Sequence, residues 1–403
     1  MSRRARNLRT LEEMTRLTSK TDAWILSSPM IACHADHIGS LLRPSELITA
    51  REEAAAGRIS RARFKAIEDR AVEDAIRLQE GVGLPVVTDG EQRRLSFQSQ
   101  FAESVSGLGD WDLNAFLWGD WRGDSSTVGD RTIARPAGLG VVEKLRRSRY
   151  LSVEDFVFLR ARTTRIRKIT LPSPSLWANF WSPQRSRAAY PTLENFLADV
   201  VDLLREEVAQ LVRLGATYIQ LDAPHYALLL DPATRTFYES QGWSAERYLE
   251  RGIEMDNAVI GDFPGVTFGF HLCRGNQGSR WLVSGGYERI ARTVFRRVQA
   301  QRLLLEYDDA RSGSFEPLKE VPEGKWVVLG LITTKRPRLE PIDELVSRIG
   351  EASRFVPLER LAVSPQCGFS SSVIGNAITP ADQQQKLRQV VETARRVWGE
   401  DTA

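Results

Sequence analysis

The sequence predicts an α/β protein with the fold of a TIM (β/α)8 barrel. Its 403 residues suffice for one large barrel or two ordinary domains. Short apolar runs of β-type residues alternate with long amphipathic stretches, which is typical of βα units around a parallel sheet. Eight such runs occur, and eight parallel strands close a barrel. The predicted strands are Met30–Ala35, Leu84–Thr88, Ile166–Leu171, Thr217–Asp222, Val266–His271, Arg302–Glu306, Trp326–Ile332 and Leu361–Ser364.

The stretches between these runs predict helices, because their apolar residues recur at a spacing of three to four. Thr192, with Glu194 in the first turn, is typical of a helix start, and so is Thr379 with Asp382. The predicted helices are Arg61–Glu80, Thr192–Leu214, Ser244–Ile260, Gly286–Ala300, Pro341–Arg354 and Thr379–Trp398.

Two segments depart from this alternation. Residues 1–28 predict a helical extension, which precedes a barrel that we assign to residues 29–403. Residues 97–165, with Gly, Trp and Asp concentrated in 107–130, predict an inserted loop or subdomain between strands two and three. Loops at the carboxyl ends of barrel strands build active sites, so we expect this insertion to cover or shape the pocket.

Composition argues against several classes of partner. The 55 Lys and Arg residues nearly balance the 52 Asp and Glu residues, which is not the charge pattern of a nucleic-acid-binding protein. No stretch resembles a membrane span, and no apolar signal segment follows the basic N-terminus. We therefore expect a soluble, cytoplasmic protein that binds small molecules, without a nucleic-acid or membrane partner. The sequence leaves a homo-oligomer open.

Three metal-binding side chains stand at the ends of predicted strands. His271 and Cys273 are two residues apart, so at the end of an extended strand they point to the same side and can share one ion. Cys367 follows strand eight and can arrive from a neighbouring barrel strand, and Glu306, which ends strand six, is a candidate fourth ligand. This set predicts a Zn²⁺ site. The alternative is a structural histidine with two buried thiols.

The charge of such a site indicates its chemistry. Two thiolates and one carboxylate around Zn²⁺ leave the site negative, which keeps a bound sulfur electron-rich. Alkylation of a thiolate suits that charge better than hydrolysis does, because water activation favours zinc with neutral ligands and an open position.

Six motifs together resemble the catalytic barrel of the cobalamin-independent methionine synthase superfamily, and the resemblance extends from about Ile31 to the end of the chain. It implies zinc held by His271, Cys273, Glu306 and Cys367, with Glu306 as the weak ligand that yields to the substrate thiol. The motifs are His-Ile-Gly-Ser-Leu-Leu-Arg-Pro (37–44), Thr-Asp-Gly-Glu (88–91), Tyr-Ile-Gln-Leu-Asp-Ala-Pro (218–224), His-Leu-Cys-Arg-Gly-Asn (271–276), Leu-Glu-Tyr-Asp (305–308) and Ser-Pro-Gln-Cys-Gly-Phe (364–369).

The resemblance also implies a receptor for the amino-acid part of a homocysteine-like acceptor, made of Ile38, Gly39, Ser40, Glu91 and Asp222. Two carboxylates suit an ammonium group, and backbone N–H groups near a glycine suit a carboxylate. The alternative for each acidic residue is a buried ion pair or a helix cap.

Three departures from the family pattern bear on the donor. The chain has room for the catalytic barrel alone, as in the short, single-barrel branch. Lys335 stands in the strand-seven motif where long synthases carry a histidine thought to protonate the folate, and lysine is a poor acid near neutral pH. After strand four, Ala223 replaces a family carboxylate and His225 is added. Asp222, Lys335 and His225 are our candidate catalytic residues.

The sequence thus predicts a zinc-dependent methyltransferase. Its methyl donor would be of the methyltetrahydrofolate or methylcobamide type, and its acceptor a thiol such as homocysteine. Three alternatives stay open: a zinc-dependent thiol alkyltransferase that opens an epoxide or a related electrophile, a specialised methyltransferase with a carbon or nitrogen acceptor, and a barrel that only binds a ligand.

Overall fold

The computed structural model describes residues 31–109, 119–123, 140–240 and 242–399. Seven parallel strands form one curved sheet, in the order β1-β4-β5-β6-β7-β8-β9. Nearly every residue of these strands is buried, as expected for a parallel sheet covered by helices. The strands are β1 (Val86–Val87), β4 (Ile166–Pro172), β5 (Tyr218–Asp222), β6 (Thr267–Leu272), β7 (Arg302–Glu306), β8 (Trp326–Ile332) and β9 (Leu361–Pro365).

The eighth position of the ring is filled by the segment around Ala35. Ala35 forms an isolated parallel bridge with Val363 of β9, and the N–H of Val363 donates to the carbonyl of His34 at 2.8 Å. At the other edge of the sheet, the hydroxyl of Thr88, which directly follows β1, donates to the carbonyl of Gly39 in the same segment at 2.7 Å. The predicted barrel class is confirmed.

Two predicted strands are shorter in the structure. Within the described residues the first strand, predicted over Met30–Ala35, is reduced to its one bridge, and Met30 itself lies outside them. The second strand, predicted over Leu84–Thr88, keeps only Val86 and Val87. Pro85 cannot donate a ladder hydrogen bond, and Thr88 uses its N–H on the side chain of Gln79.

Helices cover the outside of the sheet, and several begin at the predicted caps. The Thr192 hydroxyl accepts from the N–H of Asn195, and Thr379 forms a reciprocal capping box with Asp382. No helix in the described residues is long and apolar enough to cross a membrane. The helices are α1 (Ser45–Ala55), α2 (Arg61–Gly81), α3 (Ser99–Ser104), α4 (Val153–Arg160), α5 (Leu193–Arg213), α6 (Pro224–Leu228), α7 (Pro232–Ser240), α8 (Ala245–Ile260), α9 (Glu288–Arg297), α10 (Ile342–Ala352) and α11 (Pro380–Trp398).

The segment between β1 and β4 carries structure of its own. After α3 comes an antiparallel hairpin of β2 (Val105–Gly109) and β3 (Gly140–Arg147), and α4 then leads into β4. Parts of the predicted insertion, residues 110–118 and 124–139, lie outside the described residues, and so does the predicted extension over 1–28.

A buried ionic cluster ties the first-strand segment to the barrel. The carboxylate of Asp36 accepts from the Nζ of Lys168 at 2.8 Å, from the Tyr218 hydroxyl at 2.7 Å and from the guanidinium of Arg302 at 3.4 Å. All four side chains are fully buried. Burial alone would raise the pKa of Asp36, but Lys168 and Arg302 hold it at about 2.

We expect Asp36→Asn to destabilise the protein by about 3–5 kcal/mol, because it leaves two buried cations without their counter-charge. Urea unfolding at pH 7 measures this change in the free energy of unfolding. The control is Asp74→Asn, which removes an exposed ion pair with Arg77 and should cost less than about 1 kcal/mol. Equal effects of the two substitutions would contradict this role of Asp36.

Candidate metal centre and active-site cavity

The structure brings His271, Cys273 and Cys367 together at the carboxyl ends of the strands. His271 is the second-last residue of β6, Cys273 directly follows that strand, and Cys367 lies just after β9. Their ligand atoms all lie within 4.8 Å of one another, and all three residues are buried. Strands β7 and β8 separate β6 from β9 in the sheet, so the ligands meet across the curve of the barrel mouth.

The imidazole of His271 is oriented as in a typical metal site. Its Nδ1 lies 3.1 Å from the carbonyl of Leu304, to which the Nδ1–H donates. Its Nε2 is buried, has no hydrogen-bond partner of ordinary geometry among the described residues and is directed toward the thiols. A ligating histidine commonly uses its other ring nitrogen in this way, and the bond fixes the tautomer.

The two thiols are not equivalent. The Cys273 thiol donates toward Cys367, and with the adjacent His271 this lowers the pKa of Cys367 well below its ordinary value. The same interaction raises the pKa of Cys273. A set of two sulfurs and one imidazole nitrogen fits zinc, which prefers four ligands of these types.

Glu306, the predicted fourth ligand, lies beside this group and not within it. Its Oε2 accepts from the backbone N–H of Arg274 at 2.5 Å, and its Oε1 accepts from Arg311 at 2.8 Å. Lys335 adds a longer contact of 3.5 Å to the same Oε1. Burial raises the pKa of Glu306, but these cations outweigh it and hold the value at about 2. The carboxylate is thus ionised and surrounded by positive charge.

A cavity of about 570 Å³ opens above the metal-binding group, which is ample for a small-molecule substrate. Ile38, Ser40, Glu91 and Asp222 line it, as predicted for the acceptor receptor. Gly39 packs behind them, and only glycine fits there: its φ is +143°, and a Cβ would lie 2.8 Å from the side chain of Thr170.

The carboxylate of Glu91 is fixed in place with one oxygen free. Its Oε1 accepts from the Thr170 hydroxyl at 2.7 Å and lies 3.5 Å from Arg94. Its Oε2 is buried without a hydrogen-bond partner among the described residues. Glu91 also has a φ of +54°, in the left-handed region that residues other than glycine rarely adopt. Such strain is typical of functional positions.

Asp222 is the second carboxylate of the cavity wall. Its Oδ1 accepts from the amide of Gln220 at 2.8 Å, and that amide also donates to the carbonyl of Ile38 at 2.8 Å. Burial, together with the charges of Glu91 and Cys367, raises the pKa of Asp222 to about 7. The nearby imidazole of His271 opposes this rise, and no described residue forms a short ion pair with Asp222.

The other two candidate catalytic residues do not line this cavity. His225 is fully buried with its Nε2 2.8 Å from the Ser175 hydroxyl, and burial lowers its pKa to about 3. Lys335 faces Glu306 and a separate cavity of about 460 Å³. Among the three candidates, only Asp222 lines the main cavity formed by the described residues.

Several residues that hold the site in place were not predicted. The Thr170 hydroxyl donates to Glu91, and the Gln220 amide donates to Asp222. Each of these two donors lies between apolar residues of its strand. A polar residue inside an otherwise apolar strand of a barrel points inward, so this alternation is a usable signal. Arg311, which follows β7 in a short 3-10 turn, has no such signal in the sequence.

Comparison with known proteins agrees with this geometry. A family described as "Cobalamin-independent synthase, Catalytic domain" matches residues 34–396. The uncharacterized protein YxjH of Bacillus subtilis is 34% identical over 367 residues, which cover 90% of this chain and 94% of that protein. Methionine synthase of Pyrococcus abyssi is 27% identical over 334 residues, which cover 82% and 85%.

A solved structure shares the fold. The protein assigned as a vitamin-B12-independent methionine synthase from Listeria monocytogenes superimposes with a TM-score of 0.67 at 26% identity, over 93% of this chain and all of that one. The motifs at the strand ends, the barrel that positions them and these similarities lead to one conclusion: the chain belongs to the methyltransferase family of cobalamin-independent methionine synthases, through their catalytic domain.

Proposed function

We propose that this protein is a zinc-dependent methyltransferase that moves a methyl group from a methyltetrahydrofolate-type or methylcobamide-type donor to a thiol such as homocysteine. The observation that carries the proposal is the group of His271, Cys273 and Cys367 at the wall of a cavity that also exposes Glu91 and Asp222. A zinc ion held by these three ligands would lower the pKa of the acceptor thiol and keep its sulfur nucleophilic.

The protein's own residues would bind and orient the acceptor. The free Oε2 of Glu91 and the carboxylate of Asp222 form a receptor for the α-ammonium group. Ser40 offers a hydroxyl to the α-carboxylate from the same wall. Thr170 and Gln220 hold the two receptor carboxylates in position, so little reorganisation is needed when the acceptor binds.

The remaining wall would receive the donor. It includes the apolar side chains of Phe97, Leu176, Phe180 and Leu228, which suit an uncharged or planar body. In the transfer, the acceptor sulfur forms a bond to the methyl carbon while the bond from that carbon to the donor breaks. Holding both partners in line would supply much of the acceleration.

The position of Lys335 favours a donor whose leaving group needs no proton. Displacement from methyltetrahydrofolate needs an acid at the departing nitrogen, and Lys335 does not line the main cavity but contacts Glu306 at 3.5 Å. Displacement from a methylcobamide has no such requirement. An epoxide-opening thiol alkyltransferase would use the same zinc and thiol groups and differ only in the electrophile.

Cys273→Ser and Cys367→Ser should each abolish zinc binding and turnover together, because each removes a soft ligand from the site. The measurements are zinc content of the purified protein and rate of thioether formation. Cys33→Ser is the matched control, since Cys33 is buried in the first-strand segment with Val86 and Tyr218, outside the metal-binding group, and should leave both unchanged. A Cys273→Ser protein without zinc that turns over at the normal rate would refute the proposal.

Glu91→Gln should weaken binding of homocysteine about 10- to 100-fold, because a charge-assisted bond to the ammonium is lost. Asp222→Asn should act in the same direction. Thiol titration of the cobalt-substituted protein, followed by its absorption, measures the affinity. The control ligand is 4-mercaptobutyrate, which lacks the ammonium group and should bind the wild type and both variants alike. A parallel loss with 4-mercaptobutyrate would place these residues elsewhere in the site.

A panel of electrophiles with one acceptor thiol should identify the carbon donor. We expect a methylcobamide to give the S-methyl product at a higher rate than methyltetrahydrofolate, because the folate nitrogen needs an acid and Lys335 does not line the main cavity. Mass spectrometry of the thioether distinguishes methyl transfer from epoxide opening by the added mass. A hydroxyalkyl thioether as the main product would favour the alkyltransferase instead.

A further inference from the structure

The loops that carry Cys273 and Cys367 are joined by a buried chain of side-chain amides. Asn276 follows Cys273 on the loop after β6, and its Nδ2 donates to the carbonyl of Gly368 at 2.7 Å. The Nδ2 of Asn376 donates in turn to the Oδ1 of Asn276 at 3.1 Å. Both asparagines are more than nine-tenths buried. The two loops are therefore fixed to each other by bonds that do not involve the metal-binding side chains.

Backbone groups determine the direction of every bond in this chain. The backbone N–H of Ser279 can only donate, and it lies 2.8 Å from the Oδ1 of Asn376. The carbonyl of Thr334 can only accept, and it lies 3.0 Å from the Nδ2 of Asn376. These two groups orient the Asn376 amide so that it presents a donor to Asn276. The carbonyl of Gly368 likewise requires the Nδ2 of Asn276 on its side.

Ser371 receives the end of this chain and faces Cys367. The Nδ2 of Asn276 donates to the Oγ of Ser371 at 3.2 Å. The hydroxyl of Ser371 therefore keeps its own proton for a different acceptor. The Sγ of Cys367, at 3.8 Å, is the other hydrogen-bond partner that the described residues offer to this hydroxyl. An ionised sulfur attracts such a proton more strongly than a neutral thiol does.

The proposed reaction gives this contact a chemical purpose. Cys273 and Cys367 both line the cavity that the carbon donor would enter. Sulfurs held as thiolates on zinc are themselves nucleophiles. An electrophile that reached one of them would form a bond from its carbon to that sulfur while the bond to its leaving group breaks. The product is a thioether, which has lost the charge of the thiolate ligand.

We propose that Ser371 is a positioning residue whose hydroxyl donates to the sulfur of Cys367 and lowers its nucleophilicity, so that the carbon donor reacts with the acceptor thiol and spares this ligand. A hydrogen bond draws charge from a thiolate, and such neighbours tune metal ligands. The Cys273 sulfur has a donor of its own in the backbone N–H of Gly275. This inference rests on the proposed zinc function, because it concerns thiolates that zinc holds.

Treatment of the zinc-loaded protein with iodoacetamide tests this role. Peptide mapping by mass spectrometry measures the rate of alkylation at each cysteine separately. In Ser371→Ala we expect alkylation of Cys367 to accelerate about 3- to 30-fold, with a change of less than about twofold at Cys273, because one hydrogen bond to a charged group is lost. Zinc content should stay unchanged. In cobalt-substituted protein the sulfur-to-metal charge-transfer band should move to longer wavelength, since a more electron-rich sulfur gives up charge more readily.

Two serine variants are the controls. Ser371→Thr keeps the hydroxyl and should stay close to wild type in both the alkylation rate and the cobalt spectrum. Ser372→Ala removes the neighbouring hydroxyl, which bonds to Gln277 at 2.6 Å, and it should leave the reactivity of Cys367 unchanged. Equal acceleration at Cys273 and Cys367 in Ser371→Ala, or the same acceleration in Ser372→Ala, would show a general loosening of the loop and overturn the inference.

Asn276→Asp tests the direction of the chain. The new carboxylate would accept from Ser371 and turn its proton away from Cys367, so alkylation of Cys367 should accelerate as in Ser371→Ala. Asn276→Asp/Ser371→Ala should then match Ser371→Ala, because both changes act through one hydroxyl. Additive effects, or unchanged alkylation of Cys367 in zinc-loaded Ser371→Ala, would overturn the inference, and Asn276→Asp decides alone if Ser371→Ala does not fold. A wild-type protein that binds no zinc would instead refute the proposed function, and this inference with it.

Discussion

The ionic cluster around Asp36 is the constraint on which the active end of the barrel depends. The first-strand segment has one backbone bridge to β9, so the buried contacts of Asp36 with β4, β5 and β7 replace the missing ladder. Ile38 and Ser40 follow directly and form part of the cavity wall. The interaction that keeps this segment in the ring therefore also sets the position of the proposed acceptor receptor.

Buried carboxylates in this barrel differ according to their partners. Asp36 has two cations, and its pKa is held at about 2. Asp222 has no ion pair in the described part of the chain, and burial raises its pKa to about 7. The first carboxylate is satisfied by the protein, whereas the second gains most from a ligand cation. Burial alone does not distinguish these two carboxylates; the presence or absence of an ion-pair partner does.

The sequence predicted those features that follow from strand periodicity. His271 and Cys273 share a side because they are two residues apart, and Cys367 can meet them because parallel strands end on one side of a barrel. Strand periodicity does not extend to His225, which lies in α6 beyond the end of β5 and whose ring contacts the Ser175 hydroxyl. The direction of a side chain beyond the strand end depends on packing, which strand periodicity does not encode.

The partners of Glu306 are a second feature that the sequence does not predict. Its place at the end of β7 is correctly predicted, and ligand chemistry made it a natural fourth ligand. Its partners Arg311 and Lys335 follow β7 and β8 in the chain. Their contacts with the same oxygen, Oε1, depend on how the two segments fold together. A sequence motif therefore predicts which residues lie at the carboxyl ends of the strands. The distribution of charge around them can be read only from the folded structure.

The arrangement of the proposed receptor and metal group also constrains the acceptor. Glu91 and Asp222 come from the loops and strands around β1 and β5, whereas the metal-binding group comes from the ends of β6 and β9. An amino-acid thiol that used both would bridge the neighbouring strands β5 and β6, where Asp222 pairs in register with His271. Thr170, Gln220 and the barrel strands fix the proposed anchors, so the number of methylene groups between the ammonium and the sulfur would be a selected property. Selectivity for the thiol would thus come from the fixed distance between the receptor carboxylates and the metal-binding group. The apolar remainder of the cavity would determine which carbon donor can approach.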